Sequence, residues 1–130
     1  MFSCQNKKID ESDAMKQVLL NYFDGIKTHD TLKMSGVSTS DARIYEEGKV
    51  WTNDSVFAVM RQLHYSVNFT FDHFKIDIDN MVGHMSYFEE ADFIFNDTIK
   101  SDLHYLGSAA FKKENNAWKL CFLHSDKHNF

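Results

Sequence analysis

Apolar residues in the first part of the chain recur every three or four positions. In SDAMKQVLLNYFDGIKTHD, the residues Met15, Leu19, Tyr22, Phe23 and Ile26 form one stripe, which predicts an amphipathic helix capped by Ser12 and opened by Asp13. TLKMSG predicts a short second helix or turn ending near Gly36. ARIYEE then alternates as a strand does. TNDSVFAVMRQL returns to the helical period, with Thr52 or Asn53 as cap and Val56, Val59, Met60 and Leu63 on one face.

Beyond this helix the period becomes two. SVNFTFDHFKIDID places Val67, Phe69 and Phe71 on one side, and Phe74, Ile76 and Ile78 continue that side in the opposite parity. A slip of one residue near Asp72-His73 predicts a β-bulge, which bends a sheet. MVGHMSYFEEADFIF is a second long strand after a turn at Asn80, with Met85, Tyr87, Ala91, Phe93 and Phe95 sharing a side. SDLHYLGSAAFKKE, a turn at Asn115-Asn116 and AWKLCFLHSD complete a meander. Residues 1–11 carry no period and are expected to be a flexible N-terminal tether, followed by a single domain over residues 12–130.

At 130 residues, with 12 Phe, 5 Tyr and 2 Trp, the chain can close one core around large aromatic side chains. Nineteen acidic against fourteen basic residues give a net charge of −5, and the basic doublets Lys7-Lys8 and Lys112-Lys113 make no continuous patch. Nucleic acid is therefore excluded as a partner. No apolar run approaches the roughly 20 residues that span a bilayer. Cys4 and Cys121 have no metal-binding spacing, and no cofactor motif is present. MFSCQNKKIDES resembles the end of a bacterial lipoprotein signal, in which Cys4 would carry the lipid; that implies the cell envelope, and the cytoplasm is expected otherwise. Membrane contact is expected only through that lipid.

Several polar residues fall on apolar faces. Ala42, Ile44 and Glu46 share a side, so an inward Ile44 brings the Glu46 carboxylate inward and turns Glu47 out. A carboxylate in such surroundings has a raised pKa and can exchange a proton near neutrality. On the last strand Trp118, Leu120, Phe122 and His124 share a side, which makes His124 a candidate acid-base partner of Glu46. Glu89 lies between Tyr87 and Ala91 on the apolar side of its strand, and Trp51, Tyr87, Tyr105 and Phe122 are expected pocket walls. His124, Asp126 and His128 alternate in HSDKH, but a lone triplet at a terminus reads as a tail, and no metal site is expected. His84 and His104 are expected on the outer surface, possible cross-strand neighbours.

The order of elements, with the closing FKKENNAWKLCFLHSD, resembles the nuclear transport factor 2-like superfamily, in its polyketide-cyclase-like and related bacterial branches, over about residues 12–126. The resemblance implies an α+β cone: a strongly curved mixed or antiparallel sheet wrapped around three N-terminal helices, with an apolar pocket inside. Laid on the ketosteroid isomerase branch, Tyr22 takes the place of the tyrosine that donates to the substrate and Glu46 that of the proton-moving base. The second acid falls near Gly107, where no donor exists, which argues against a steroid isomerase mechanism of that form. Two functions are expected to compete. One is a protein binding a small, largely apolar ligand, with isomerase-, cyclase- or dehydratase-like chemistry through Glu46, His124 and Tyr22. The other is a homodimerising association or accessory module that uses Tyr45, Phe88 and Leu106 on the outer sheet face.

Overall fold

The computed structural model describes the backbone of residues 3–128 and the side chains of residues 11–128. Its elements run α1 (Ser3–Thr28), α2 (Thr31–Gly36), β1 (Ser38–Glu46), β2 (Lys49–Thr52), α3 (Asn53–Gln62), β3 (Tyr65–Asp79), β4 (Val82–Phe95), β5 (Ile99–Glu114) and β6 (Ala117–Lys127). The strands make one sheet in the order β2-β1-β6-β5-β4-β3. Every pairing is antiparallel except β1 with β6, which closes the meander back onto the first strand in parallel.

Turn chemistry fixes the hairpins. Glu47 and Gly48 both have positive φ (54° and 71°) between Glu46 and its partner Lys49, the pattern of a two-residue hairpin turn whose twist matches the strands. That is why a glycine follows the glutamate pair. Asn115 and Asn116 do the same between β5 and β6, with φ of 52° and 66°. β2 is an addition to the expected order, since its four residues are too few to show a period.

Bulges bend the sheet. Asp72 faces Phe88 but Lys75 faces Ser86, so β3 carries one extra residue, and His73 adopts φ 56° there, where the switch of parity placed the slip. A second bulge lies in β6: Phe111 faces Leu120 while Ala110 faces Phe122, leaving Cys121 unpaired in the ladder. The concave side packs Met15, Leu19 and Phe23 of α1, Met34 of α2 and Phe57 and Met60 of α3 against Tyr65, Met85, Phe111 and Leu120 of the sheet. The α+β cone is the fold that forms.

One expectation is corrected. α1 begins at Ser3, so Ser12 lies inside the helix and does not cap it, and most of the expected tether is helical backbone. No Gly or Pro interrupts residues 3–24. The Glu11 carboxylate fastens this stretch to the sheet, accepting from Lys113 Nζ and Trp118 Nε1, each at 2.8 Å. The Cys4 side chain, on which the lipid would sit, lies outside the described residues. No described helix is long and apolar enough to cross a membrane.

Candidate functional site

Between α1, α3 and the concave sheet lies a cavity of about 420 Å³. Its walls are mostly aromatic and aliphatic, including Tyr22, Trp51, Tyr65, Phe69, Phe93 and Tyr105, and its exposed lining residues, Glu47 and Leu63, mark the mouth. A volume of this kind within an apolar wall suits a small molecule.

Two carboxyls reach it from different strands. Glu46 ends β1 on the same side as the buried Ala42 and Ile44, as the alternation requires. Its pKa is raised, first by burial and then by Glu47, with Lys127 opposing. Glu89 lies in the middle of β4 between Phe71 and Tyr105 on its flanking strands. It is 6% exposed, and its Oε1 has no hydrogen-bond partner. Burial, and secondarily the charge of Glu46, push its carboxyl up to about 8.

The register explains how the floor is shaped. Glu46, Ser125, Gly107 and Tyr87 lie in one row across β1, β6, β5 and β4. A Cβ on Gly107 would come within 2.3 Å of the Tyr87 ring, so glycine allows the tyrosine to lie across its neighbour. The position where the isomerase resemblance called for a second acid is filled by that ring. Tyr87 is 2% exposed and its hydroxyl has no partner; burial and the nearby Glu89 and Glu46 raise its pKa.

Of the expected site residues, Glu46, Glu89, Tyr22, Trp51 and Tyr105 line the cavity; Tyr87, expected as a wall, is instead buried in the core among Phe71 and Phe74 and is not one of the lining residues. Tyr22 is a wall whose proton is committed: its hydroxyl donates to Asn53 Oδ1 (2.7 Å), Asn53 Nδ2 donates to Ser38 Oγ (2.9 Å), and Ser38 Oγ donates to the Met34 carbonyl (2.7 Å). Trp51 donates from Nε1 to the Glu46 carbonyl at 3.3 Å, which holds the indole at the mouth.

His124 and Phe122 are corrections. The extra residue at Cys121 reverses the parity of β6, so Leu123 and Ser125 are buried on the inner side, while His124 is exposed opposite Tyr45 and the Phe122 ring packs on Tyr45 at 5.3 Å. His124 is thus turned away from the cavity that Glu46 lines, and the two do not form an acid-base couple inside it. Ser125 and Tyr65 are wall residues the alternation did not single out. The first was hidden by the bulge; the second starts a strand and donates to the Ile26 carbonyl at 2.6 Å. Glu47 is outward as expected and pairs with Lys127 at 3.0 Å. His84 faces Ala110 and His104 faces Glu90, so those two histidines are not cross-strand neighbours.

No protein-family model matches the sequence, and no curated protein matches it. Solved structures do. A nuclear transport factor 2-like protein from Cytophaga hutchinsonii superposes with a TM-score of 0.74 at 14% identity, covering 89% of this chain and 97% of that one. This chain has the nuclear transport factor 2-like fold. Two further structures with this fold are similar to it. A hexachlorocyclohexane dehydrochlorinase, LinA-type3, from Novosphingobium barchaimii matches at TM-score 0.82 and 8% identity, over 97% of this chain and 92% of that one. A scytalone dehydratase candidate from Novosphingobium aromaticivorans matches at 0.80 and 11%, over 96% and 89%. A dehydrochlorinase and a dehydratase candidate therefore share the nuclear transport factor 2-like cone seen here, at identities that speak for architecture alone.

Proposed function

We propose that the cone takes up a small, largely apolar molecule and exchanges a proton with it through Glu89 and Glu46. The observation that carries this reading is the Glu89 carboxyl, buried at an apolar cavity wall with Oε1 unpartnered. A lost hydrogen bond at such a group costs about 1–3 kcal/mol, and a ligand that supplies one recovers it. With its carboxyl near 8, Glu89 keeps its proton at neutral pH and can give it up on contact with a ligand. Glu46 is less enclosed and has Lys127 acting to lower its pKa, so of the two it holds its proton less tightly and takes the part of the base. Two carboxyls held at different proton affinities supply an acid and a base to one ligand. The dehydrochlorinase and dehydratase neighbours bring elimination chemistry within the range of this fold; on this chain Glu89 takes the part first assigned to His124.

The test is α-proton exchange of 2-tetralone, a neutral enolisable ketone, followed by NMR in D₂O. Exchange should exceed the buffer rate and drop at least about 100-fold in Glu46→Gln, the usual scale of a lost general base. Nile red, a neutral apolar dye, should bind saturably in both proteins. Dye binding without accelerated exchange would reduce the protein to a binder; failure of both would remove the pocket reading.

A second reading, a homodimerising module, is favoured by one feature. Phe88 and Leu106 face each other across β4 and β5 on the convex side of the sheet, each 40% exposed.

A further inference from the structure

The charge lining the cavity is one-sided. Glu46, Glu47 and Glu89 line it, and no Lys, Arg or His does among the described residues. Glu89 meets no cation from any element around it: Glu46 approaches from β1, Tyr105 from β5 and Tyr87 from its own strand. The hydroxyls of Tyr22 and Tyr65 are committed to Asn53 and to the Ile26 carbonyl. Lys127, on Glu47, and Lys49, over the outer Trp51 ring, stand at the mouth, so an anionic ligand that reaches Glu89 finds no cation beside it.

We propose that the cavity selects ligands that join an apolar, ring-bearing body to one basic nitrogen, and that Glu89 receives that nitrogen as a carboxylate–ammonium pair. The inference rests on the pocket reading above and names its ligand class. The proton balance is simple: the Glu89 carboxylic acid passes its proton to the nitrogen lone pair, leaving a carboxylate and an ammonium, and no other bond changes. Counted from an ammonium in solution, binding releases the Glu89 proton to bulk water. Three features favour the pair. Glu89 is fixed in a low-dielectric wall, where its attraction to an ammonium is stronger than in water and works against the desolvation of the two charges. Glu46 adds a second negative charge close by. The rings of Tyr65, Phe69, Phe93 and Tyr105 are in the wall, and aromatic faces attract a cation more than a neutral group.

The test uses three probes with one indole body: tryptamine, tryptophol and indole-3-acetate, titrated calorimetrically at pH 7 in buffers of different ionisation enthalpy and by displacement of Nile red. Tryptamine should bind at least 10-fold more tightly than tryptophol, and indole-3-acetate most weakly. Tryptamine should release close to one proton per molecule bound, and tryptophol none. Glu89→Gln should abolish the proton release and cut the preference for tryptamine over tryptophol to below threefold. Equal or tighter binding of tryptophol or indole-3-acetate, or tryptamine binding without proton release from the native protein, would overturn the proposal and leave the pocket intact. If neither the probes nor Nile red bind, the pocket reading falls with it. The proton count on the unaltered protein decides the matter even if the Gln variant folds poorly.

Discussion

Glu89 couples the site to the stability of the fold. Its carboxyl moves from an ordinary 4.5 to about 8 in the native state, so through that window the folded chain holds a proton that the unfolded chain has lost. Stability must then fall as pH rises from about 4.5 to about 8, by at most roughly 1.4 kcal/mol per unit, with the whole penalty present above the native value. Urea unfolding at pH 5 and pH 8 should show that Glu89→Gln gains stability relative to the parent at the higher pH and little at the lower. A pH-independent difference between the two proteins would mean that Glu89 is not held protonated. Glu46 was legible as an inward acid because Ala42 and Ile44, on its own side of the pleat, mark the face. Glu89 was also placed on an apolar side, but its rank above His124 emerges only when burial on both flanks by Phe71 and Tyr105 is seen.

Among the elements, the contrast between two bulges shows what a pattern can carry. At Asp72-His73 polar residues separate two apolar sets of opposite parity, so the extra residue is visible in the sequence. At Cys121 the stretch Leu120-Cys121-Phe122-Leu123 is apolar throughout, and no polar marker records the slip that turns His124 outward. Gly107 is the corresponding case in β5. A methyl group there meets the Tyr87 ring at 2.3 Å, and the ring is buried too deeply to swing aside freely. Gly107→Ala should destabilise the protein by about 1–3 kcal/mol in chemical denaturation and perturb Nile red binding, because the displaced ring neighbours the cavity's Glu89 and Glu46. Unchanged stability would mean that the ring can move at little cost.

At the scale of the whole molecule, the concave side is occupied by helices and cavity while the convex side offers Phe88 opposite Leu106. If two chains pair through that face, Leu106→Lys should shift light scattering at micromolar concentration from dimer to monomer without changing the affinity for Nile red, since the cavity lies on the other side of the sheet. A monomer before the substitution would end the dimer reading. The sequence by itself determined the helical stripes, the strand alternation, the turns at Asn80 and Asn115-Asn116, the first bulge and the inward acid of β1, because each depends on neighbours a few residues away. Tertiary structure decided the parallel closure of β6 on β1, the reversed face beyond Cys121 and the meeting of Glu46 with Glu89. Those depend on register between strands distant in the chain, and on how completely packing removes a carboxyl from water.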